Sequence, residues 1–309
     1  MKDLMMLYGV TLGSRRTKRQ KALFEKETAE RYSSLGYNVD IQRGKSPHGA
    51  FANIVAGDAS KAKVVVAAAY DTPSKCLLPG LRYFPLHSSK NLSEEKRDLV
   101  FRLGLLTVAA CLAFIPFRQF LLEPDSVRYA FLAIAILLML LGTLALRYGN
   151  CRFNFNRNSA SLAVMAEVAQ NLGSRDKAAF VFLDSQASSF FGIRAFRENV
   201  SIGNAPILVL DCLAHGKNVV LASRDVYADM ARRFSQYIKQ LDPIFKEYTE
   251  TTRTQNVTGI FENTLYLVSG QAEQGEFVVK STRSGKDFGL DLERLETIAK
   301  AITQYIKES

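Results

Sequence analysis

Three short apolar runs in this chain each close on an aspartate: residues 64–71 (VVVAAAYD), 180–184 (FVFLD) and 207–211 (ILVLD). Each is rich in Val, Leu or Ala and lacks the polar alternation of a half-exposed strand, which is the pattern of parallel strands covered on both faces. Helical periods lie between and beyond them. Phe24, Thr28, Tyr32 and Leu35 recur at helical spacing before a stop at Gly36. Leu162, Met165, Val168, Ala169 and Leu172 follow a capping Ser159 or Ser161 and end at Gly173, and Leu295, Ile298, Ala299, Ile302 and Ile306 line a closing helix over 292–306. Further strands are expected at 37–42, 53–56 and 265–268, with helices at 190–198 and 225–241. Val226, Met230, Phe234, Ile238 and Leu241 form one face of the last. Residues 73–91, with Pro73, Pro79 and Pro85, read as a loop. Strands alternating with helices predict an α/β fold, a doubly wound and mostly parallel sheet. In such a sheet reacting groups gather outside the carboxyl ends of the strands, so Asp71, Asp184 and Asp211 stand where the fold keeps an active site.

A second feature interrupts this pattern. Residues 129–146 are 18 positions without a charge, almost all Ala, Leu, Ile or Phe, and a helix of that length spans ~27 Å of the ~30 Å hydrocarbon core. The earlier run 103–117 is bracketed by Arg102 and Arg118, and it extends to 99–122 if those arginines snorkel toward headgroups. Glu123, Pro124, Asp125 and Ser126 form a polar turn between the runs. The reading is a transmembrane hairpin over 96–150, with spans near 99–120 and 128–147, set between two parts of one soluble domain, 1–95 and 151–309. Lys90, Lys96, Arg97 and Arg102 precede it and Arg147, Arg152 and Arg157 follow, against Arg118 and Arg128 on the turn side. The positive-inside bias places both soluble parts in the cytoplasm. An integral membrane protein of a bacterial cell membrane, with the lipid bilayer as partner, is the expectation. Gly104, Ala109, Ala110 and Cys111 are small enough to let another helix approach.

The net charge of +10 suits an anionic surface. Arg15, Arg16, Lys18, Arg19 and Lys21 supply much of it and read as a solvated helix start. No nucleic-acid motif accompanies them, so nucleic acid is not an expected partner. Cys76, Cys111, Cys151 and Cys212 show neither metal-type spacing nor a disulfide framework, and reduced thiols are expected. The first residues, MKDLMMLYGVTLGSRR, are too weakly apolar for a secretory signal.

The ordered series NIVAG at 53–57, VVVAAAYDTP at 64–73, NRNSASLAVMAEVAQNL at 156–172, FVFLDSQ at 180–186, FFGIRAF at 190–196 and ILVLD at 207–211 resembles the two-zinc aminopeptidase family, which includes leucyl aminopeptidases, glutamate carboxypeptidases and glutaminyl cyclase. The resemblance covers most of the chain outside the hairpin and implies that family's fold. It also implies a pair of zinc ions held by His and carboxylates, which polarise a carbonyl and acidify a bridging water, with one Glu outside the metal shell as general base.

Position by position, the sequence departs from that pattern. Ala69 stands where the resemblance implies the first ligand His, with Asp71 kept two residues on. Arg157, followed by Asn158, stands at the metal-bridging Asp. Gln186 stands at the general base, and an amide takes no proton at neutral pH. Ala187 stands at the adjacent ligand Glu. Asp211 alone matches a ligand, and residues 279–287 hold no histidine for the last one. The relic pocket is thus Ala69, Asp71, Arg157, Asn158, Asp184, Gln186, Ala187 and Asp211, with Arg157 pairing to Asp71 or Asp211 in place of the metal. No catalytic residue, metal or other cofactor is expected. His48 and His87 are the other histidines; a residual site of Asp71, Asp184, Asp211 and His215 is the remaining metal arrangement. Ser188 and Ser189 lack a His–Asp partner for nucleophilic catalysis. The expected role is a membrane-anchored, catalytically inactive binding or scaffold module with a membrane or cytosolic protein partner. The alternative is an active membrane-bound metallopeptidase with an atypical zinc site.

Overall fold

The computed structural model describes residues 1–309 except 47, 48, 79, 123, 124, 148, 173–176 and 187–189. The chain opens with α1 (Lys2–Met6) and α2 (Lys18–Ser34). Thr17 starts α2 with a reciprocal capping box to Gln20, and Gly36 at φ 82° releases the chain from it. Next come β1 (Val39–Ser46), β2 (Gly49–Ala56), β3 (Val64–Ala69) and β4 (Arg82–Tyr83). The long helices α3 (Ser88–Leu122) and α4 (Asp125–Ala145) follow. Then come α5 (Ala160–Asn171), β5 (Ala178–Leu183), α6 (Phe191–Asn199), β6 (Ile207–Asp211), β7 (Asn218–Arg224) and α7 (Ala228–Ser235). β8 (Ile244–Tyr248), β9 (Thr264–Glu273), β10 (Glu276–Lys280) and α8 (Leu292–Glu308) complete the chain.

The strands form one mixed sheet in the order β1-β2-β5-β3-β6-β9-β10-β4, with β7 also paired to β9 and β8 paired to β7. Its centre, β5-β3-β6-β9, is parallel. The outer pairs β1–β2, β2–β5, β9–β10 and β10–β4 are antiparallel. Strand β3 explains the lack of alternation in its sequence. Val64, Val66 and Ala68 enter the core on one face while Val65 and Ala67 enter the core on the other, so every position is apolar. The first core packs α1, α2, α5, α7 and α8 on the sheet, through residues such as Phe24, Tyr32, Met165, Phe234 and Ile302; the second includes Ile193 and Phe196 of α6.

Several expectations need correction. The stretch 73–91 is not all loop: β4 pairs with β10 through Tyr83↔Val279 and Arg82↔Lys280, and α3 has begun by Ser88. Neither serine caps α5. The helix opens a turn earlier with a π-turn, Phe155–Ser159, and the Ser159 hydroxyl donates to the Tyr8 carbonyl instead (2.8 Å); Gly173 lies outside the described residues. The helix expected over 225–241 is α7 flanked by two 3₁₀ segments, Asp225–Tyr227 and Gln236–Leu241, broken at Ile238, and Val226 is exposed. β7, β8 and β10 were not legible as strands, because each borrows its shape from pairing with a neighbour. Of the N-terminal cations, Arg15 is fully buried and donates to the carbonyls of Tyr70 (2.6 Å) and Tyr8 (2.8 Å), and Lys21 pairs with Asp184. Lys18 and Arg19 of that group are exposed, and Arg16 and Lys21 are half-buried.

Helices α3 and α4 are both long and apolar enough to cross a membrane, with mean hydropathy 2.1 and 2.2 over their most apolar stretches and only 17% and 11% of those stretches buried. Val108, Phe114, Ile115, Leu121, Ile136 and Leu140 all stand exposed. The two helices meet where Gly142 faces Ala109: a Cβ at Gly142 would lie 2.6 Å from that of Ala109. Ala109 is therefore used inside the hairpin and is not free for another helix; Gly104 faces open space. Of the turn, Glu123 and Pro124 lie outside the described residues, and Asp125 and Ser126 belong to α4. Arg102 does not snorkel. Its side chain is 1% exposed and pairs with Asp98 (Nε–Oδ2 2.7 Å). It also donates to the carbonyls of Ala145 (2.8 Å), Arg147 (3.1 Å) and Lys75 (2.9 Å). Asp98 in turn accepts the backbone N–H groups of Leu77 and Leu78, both at 2.9 Å. One guanidinium thus caps the end of α4 and roots the hairpin in the α/β body.

Candidate functional site

The carboxyl ends of β3, β5 and β6 deliver Ala69, Asp184 and Asp211 to one end of the sheet, and the π-turn before α5 brings Arg157 beneath them. The Arg157 guanidinium is ion-paired with Asp211 through Nη1–Oδ1, so of the two partners expected for it the structure selects Asp211. The other oxygen of Asp211 accepts the hydroxyls of Tyr83 and Tyr266, each at 2.7 Å. The guanidinium also lies over the Tyr83 ring, 3.9 Å from its centroid. Cys212 directs its thiol at Asp211 Oδ1 (3.2 Å). Burial, reinforced by the Asp211 charge, pushes the hydroxyls of Tyr83 and Tyr266 and the Cys212 thiol well up, so all three remain neutral donors. Burial works against the charge of Arg157, yet the adjoining Asp211 carboxylate holds its pKa well above the usual value.

The remaining sequence-derived residues are spread around this pair. Asp71 accepts the Gln186 backbone N–H through Oδ1 (3.1 Å), and Asn158 donates its amide to the Asp71 carbonyl. The Gln186 amide, oriented by its surroundings, accepts from the N–H groups of Gly192 (3.2 Å) and Ile193 (2.5 Å). It therefore pins α6 and points no base at the pocket. Asp184 accepts the N–H groups of Ser185 (2.7 Å) and Ala52 (3.2 Å) and pairs with Lys21, so it orients backbone. Ala187, Ser188 and Ser189, like His48, lie outside the described residues. His215 does not join Asp71, Asp184 and Asp211. It packs against Gly289, where an added Cβ would fall 2.5 Å from its ring, and its backbone N–H bonds Asn156 Oδ1 (3.3 Å).

Four participants were not legible in the sequence: Tyr83, Tyr266, Phe190 and Asp287. Tyr83 sits on the two-residue β4, inside a stretch that carries no strand signal. Tyr266 lies in an expected strand, but only sheet order shows which residue it faces. Asp287 spans the segment where the resemblance implies a histidine. It is 1% exposed and accepts the N–H groups of Asn156 (3.0 Å) and Arg157 (3.3 Å), so it caps the turn that presents Arg157. Burial outweighs these bonds and raises its pKa to about 6. A carboxyl raised from its unfolded value near 4 stabilises the fold in full only below about pH 4, and that contribution is lost as pH rises through about 6. Ionised Asp287 then costs about 3 kcal/mol at pH 7. The melting temperature of Asp287→Asn relative to wild type should therefore climb between pH 4 and pH 7; a flat difference across that range would show that Asp287 is ionised without penalty.

These residues do not fit a pair of zinc ions. Ala69 offers no donor, Arg157 brings a permanent cation instead of one, and both oxygens of Asp211 are engaged. Among the described residues no three His, Cys, Asp or Glu side chains converge as a metal set would. The cavity beside the pair is about 30 Å³ and is lined by Tyr83, Arg157, Phe190, Asp211, Val257 and Tyr266 among others. That is the volume of roughly one water molecule.

This is the fold of zinc-dependent aminopeptidases and glutaminyl cyclases. Glutaminyl cyclase of Bacteroides thetaiotaomicron, solved with N-acetylhistamine, superposes with a TM-score of 0.60 at 13% identity, over 100% of this chain and 98% of that one. A Zn-dependent exopeptidase from Parabacteroides distasonis gives 0.56 at 12% identity, over 97% and 94%. The LapA aminopeptidase of Legionella pneumophila gives 0.55 at 8% identity, over 99% and 69%. Neither a protein-family model nor a curated protein sequence matches the chain.

Proposed function

We propose that this chain is a catalytically inactive relative of the zinc aminopeptidases, anchored in a membrane by the α3–α4 hairpin, and that it works as a binding or scaffold module. The single observation that carries the reading is the Arg157–Asp211 pair, which puts a protein cation where that fold would place its metals and closes the cleft with Tyr83 and Tyr266. No cofactor belongs to this function. Tyr83 lies on the segment that leads into α3, so the stretch that carries the anchor also supplies part of the plug. Two long apolar helices with most of their apolar side chains exposed, rooted in the body at Arg102, support the anchor. Both soluble segments then face the cytoplasm by the positive-inside bias, and a membrane or cytosolic protein is the partner.

The test is the zinc, manganese and cobalt content of the detergent-purified protein, measured by elemental mass spectrometry beside Asp211→Ala. Less than about a tenth of an ion per chain, unchanged by the substitution, is expected. One or two ions per chain, lost in Asp211→Ala, would instead establish a metallopeptidase-type centre. Extraction with alkaline carbonate checks the anchor separately: the chain should stay in the membrane pellet and leave it only with detergent.

A further inference from the structure

The root of the hairpin gathers chain segments that are far apart in sequence. The Lys75 N–H donates to the Gly149 carbonyl (2.9 Å), and Arg16 Nη1 reaches the same oxygen (3.4 Å). The Cys76 N–H bonds the Arg283 carbonyl (3.0 Å), and Arg102 ties the carbonyls of Lys75 and Arg147 together. The Arg152 carbonyl lies against Gly13, 3.0 Å from where a Cβ would be. The Phe155 N–H bonds the Asp287 carbonyl (3.0 Å), and the Phe153 ring stands edge-on to Phe288, centroids 6.5 Å apart. Lys75, Arg147, Arg152 and Lys286 are exposed around this root, with Arg16 half-buried beside them. The carboxylates close by are already satisfied within the protein. Asp98 is bonded to Arg102, Glu94 to Arg97, Glu95 to Arg283, and Asp287 is buried under the π-turn. Among the described residues Lys75, Arg147, Arg152 and Lys286 make no ion pair, so a collar of positive charge lies at the point where the apolar helices leave the body. Phe288, 58% exposed, stands beside it with its ring edge-on to Phe153.

We infer that this collar is a headgroup-binding surface for anionic phospholipids, with the Arg and Lys side chains on lipid phosphates and Phe288 in the interfacial layer. The inference rests on the membrane reading above and deepens it by naming the lipid class. Three properties point to lipid: the charge is of one sign, Arg147 follows the end of α4 by two residues with Lys75 bonded to Gly149 close by, and an exposed apolar ring, Phe288, stands near it as a group able to enter the headgroup–acyl boundary. Each Lys or Arg held near an anionic leaflet strengthens the attraction roughly fivefold. The collar also acts on the fold's geometry. Because Arg102 fixes the hairpin root, binding at the collar holds the α/β body in one orientation to the membrane plane.

The chain contains no tryptophan, so Phe288→Trp supplies a unique fluorophore. The full-length Phe288→Trp protein is reconstituted into nanodiscs of phosphatidylcholine alone and of phosphatidylcholine with increasing phosphatidylglycerol. A blue shift of the emission that grows with the anionic fraction is expected, reversed by high salt and absent when inorganic phosphate is added to phosphatidylcholine discs. Adding Arg147→Gln, Arg152→Gln and Lys286→Gln should move the half-maximal shift to a severalfold higher anionic fraction. The same emission in both lipids, or a shift that survives the three substitutions, overturns the collar. A shift produced equally by free phosphate assigns the site to a soluble anion and also overturns it. Failure of the membrane reading is separable, since that chain would remain outside the discs and appear in the carbonate supernatant.

Discussion

Arg157→Ala should lower the stability of the α/β body by about 3–5 kcal/mol, because it leaves the Asp211 carboxylate buried with two phenol donors and no cation. In a chain of this size that corresponds to roughly 6–12 °C in Tm. The penalty is the cost of an unpaired charge and not the net worth of the pair, which desolvation largely offsets. Asp211→Asn added to Arg157→Ala should therefore recover a large part of the loss, because the remaining amide can still accept from Tyr83 or Tyr266. Calorimetry or a thermal-shift series on the three variants in one detergent measures this. An Arg157→Ala protein that melts like wild type would mean that water, not Arg157, balances Asp211, and the substitution of metal by guanidinium would have to be abandoned.

The second large effect is expected at the hairpin root. Arg102→Ala removes the partner of buried Asp98 and the donor for three carbonyls, again about 3–5 kcal/mol, but here the loss is local. Backbone amide exchange should accelerate at Leu77 and Leu78, whose N–H groups depend on an Asp98 held in place, and in the 149–152 segment that packs beside them. The β-sheet amides should be little changed. Arg102→Lys restores the charge without the planar fork that reaches the Ala145, Arg147 and Lys75 carbonyls together, so it should rescue only partly. Uniform acceleration across the sheet would show that the root is integral to the body's folding. No acceleration anywhere would show that it does not fasten the hairpin.

Much of the fold was legible because its signals are local. The covered strands β3, β5 and β6, the period of α2, α5 and α8, and the apolar length of α4 are written in consecutive residues. The departures of Ala69 and Arg157 from the pattern the resemblance implies could be read too, since residue identity needs no tertiary context. What escaped was set by pairing. β4 is only Arg82–Tyr83 and is a strand because β10 accepts it. β7, β8 and β10 are likewise strands by company, and the helix expected over 225–241 gave way at Ile238.

By itself, then, the sequence determined that a parallel-centred α/β sheet is interrupted by a long apolar hairpin, and that the residues implied for a two-zinc centre are replaced. Burial on both faces and hydrophobic length are properties that each segment carries alone. Only the tertiary structure decided how the charges at the end of the sheet are partnered. Arg157 chooses Asp211 over Asp71, Tyr83 and Tyr266 take the carboxylate's other oxygen, Asp287 caps the turn from 130 positions away in the chain, and Arg102 turns inward. Each of those choices balances a buried charge against distant partners, and the desolvation that enforces the balance exists only once the chain has folded.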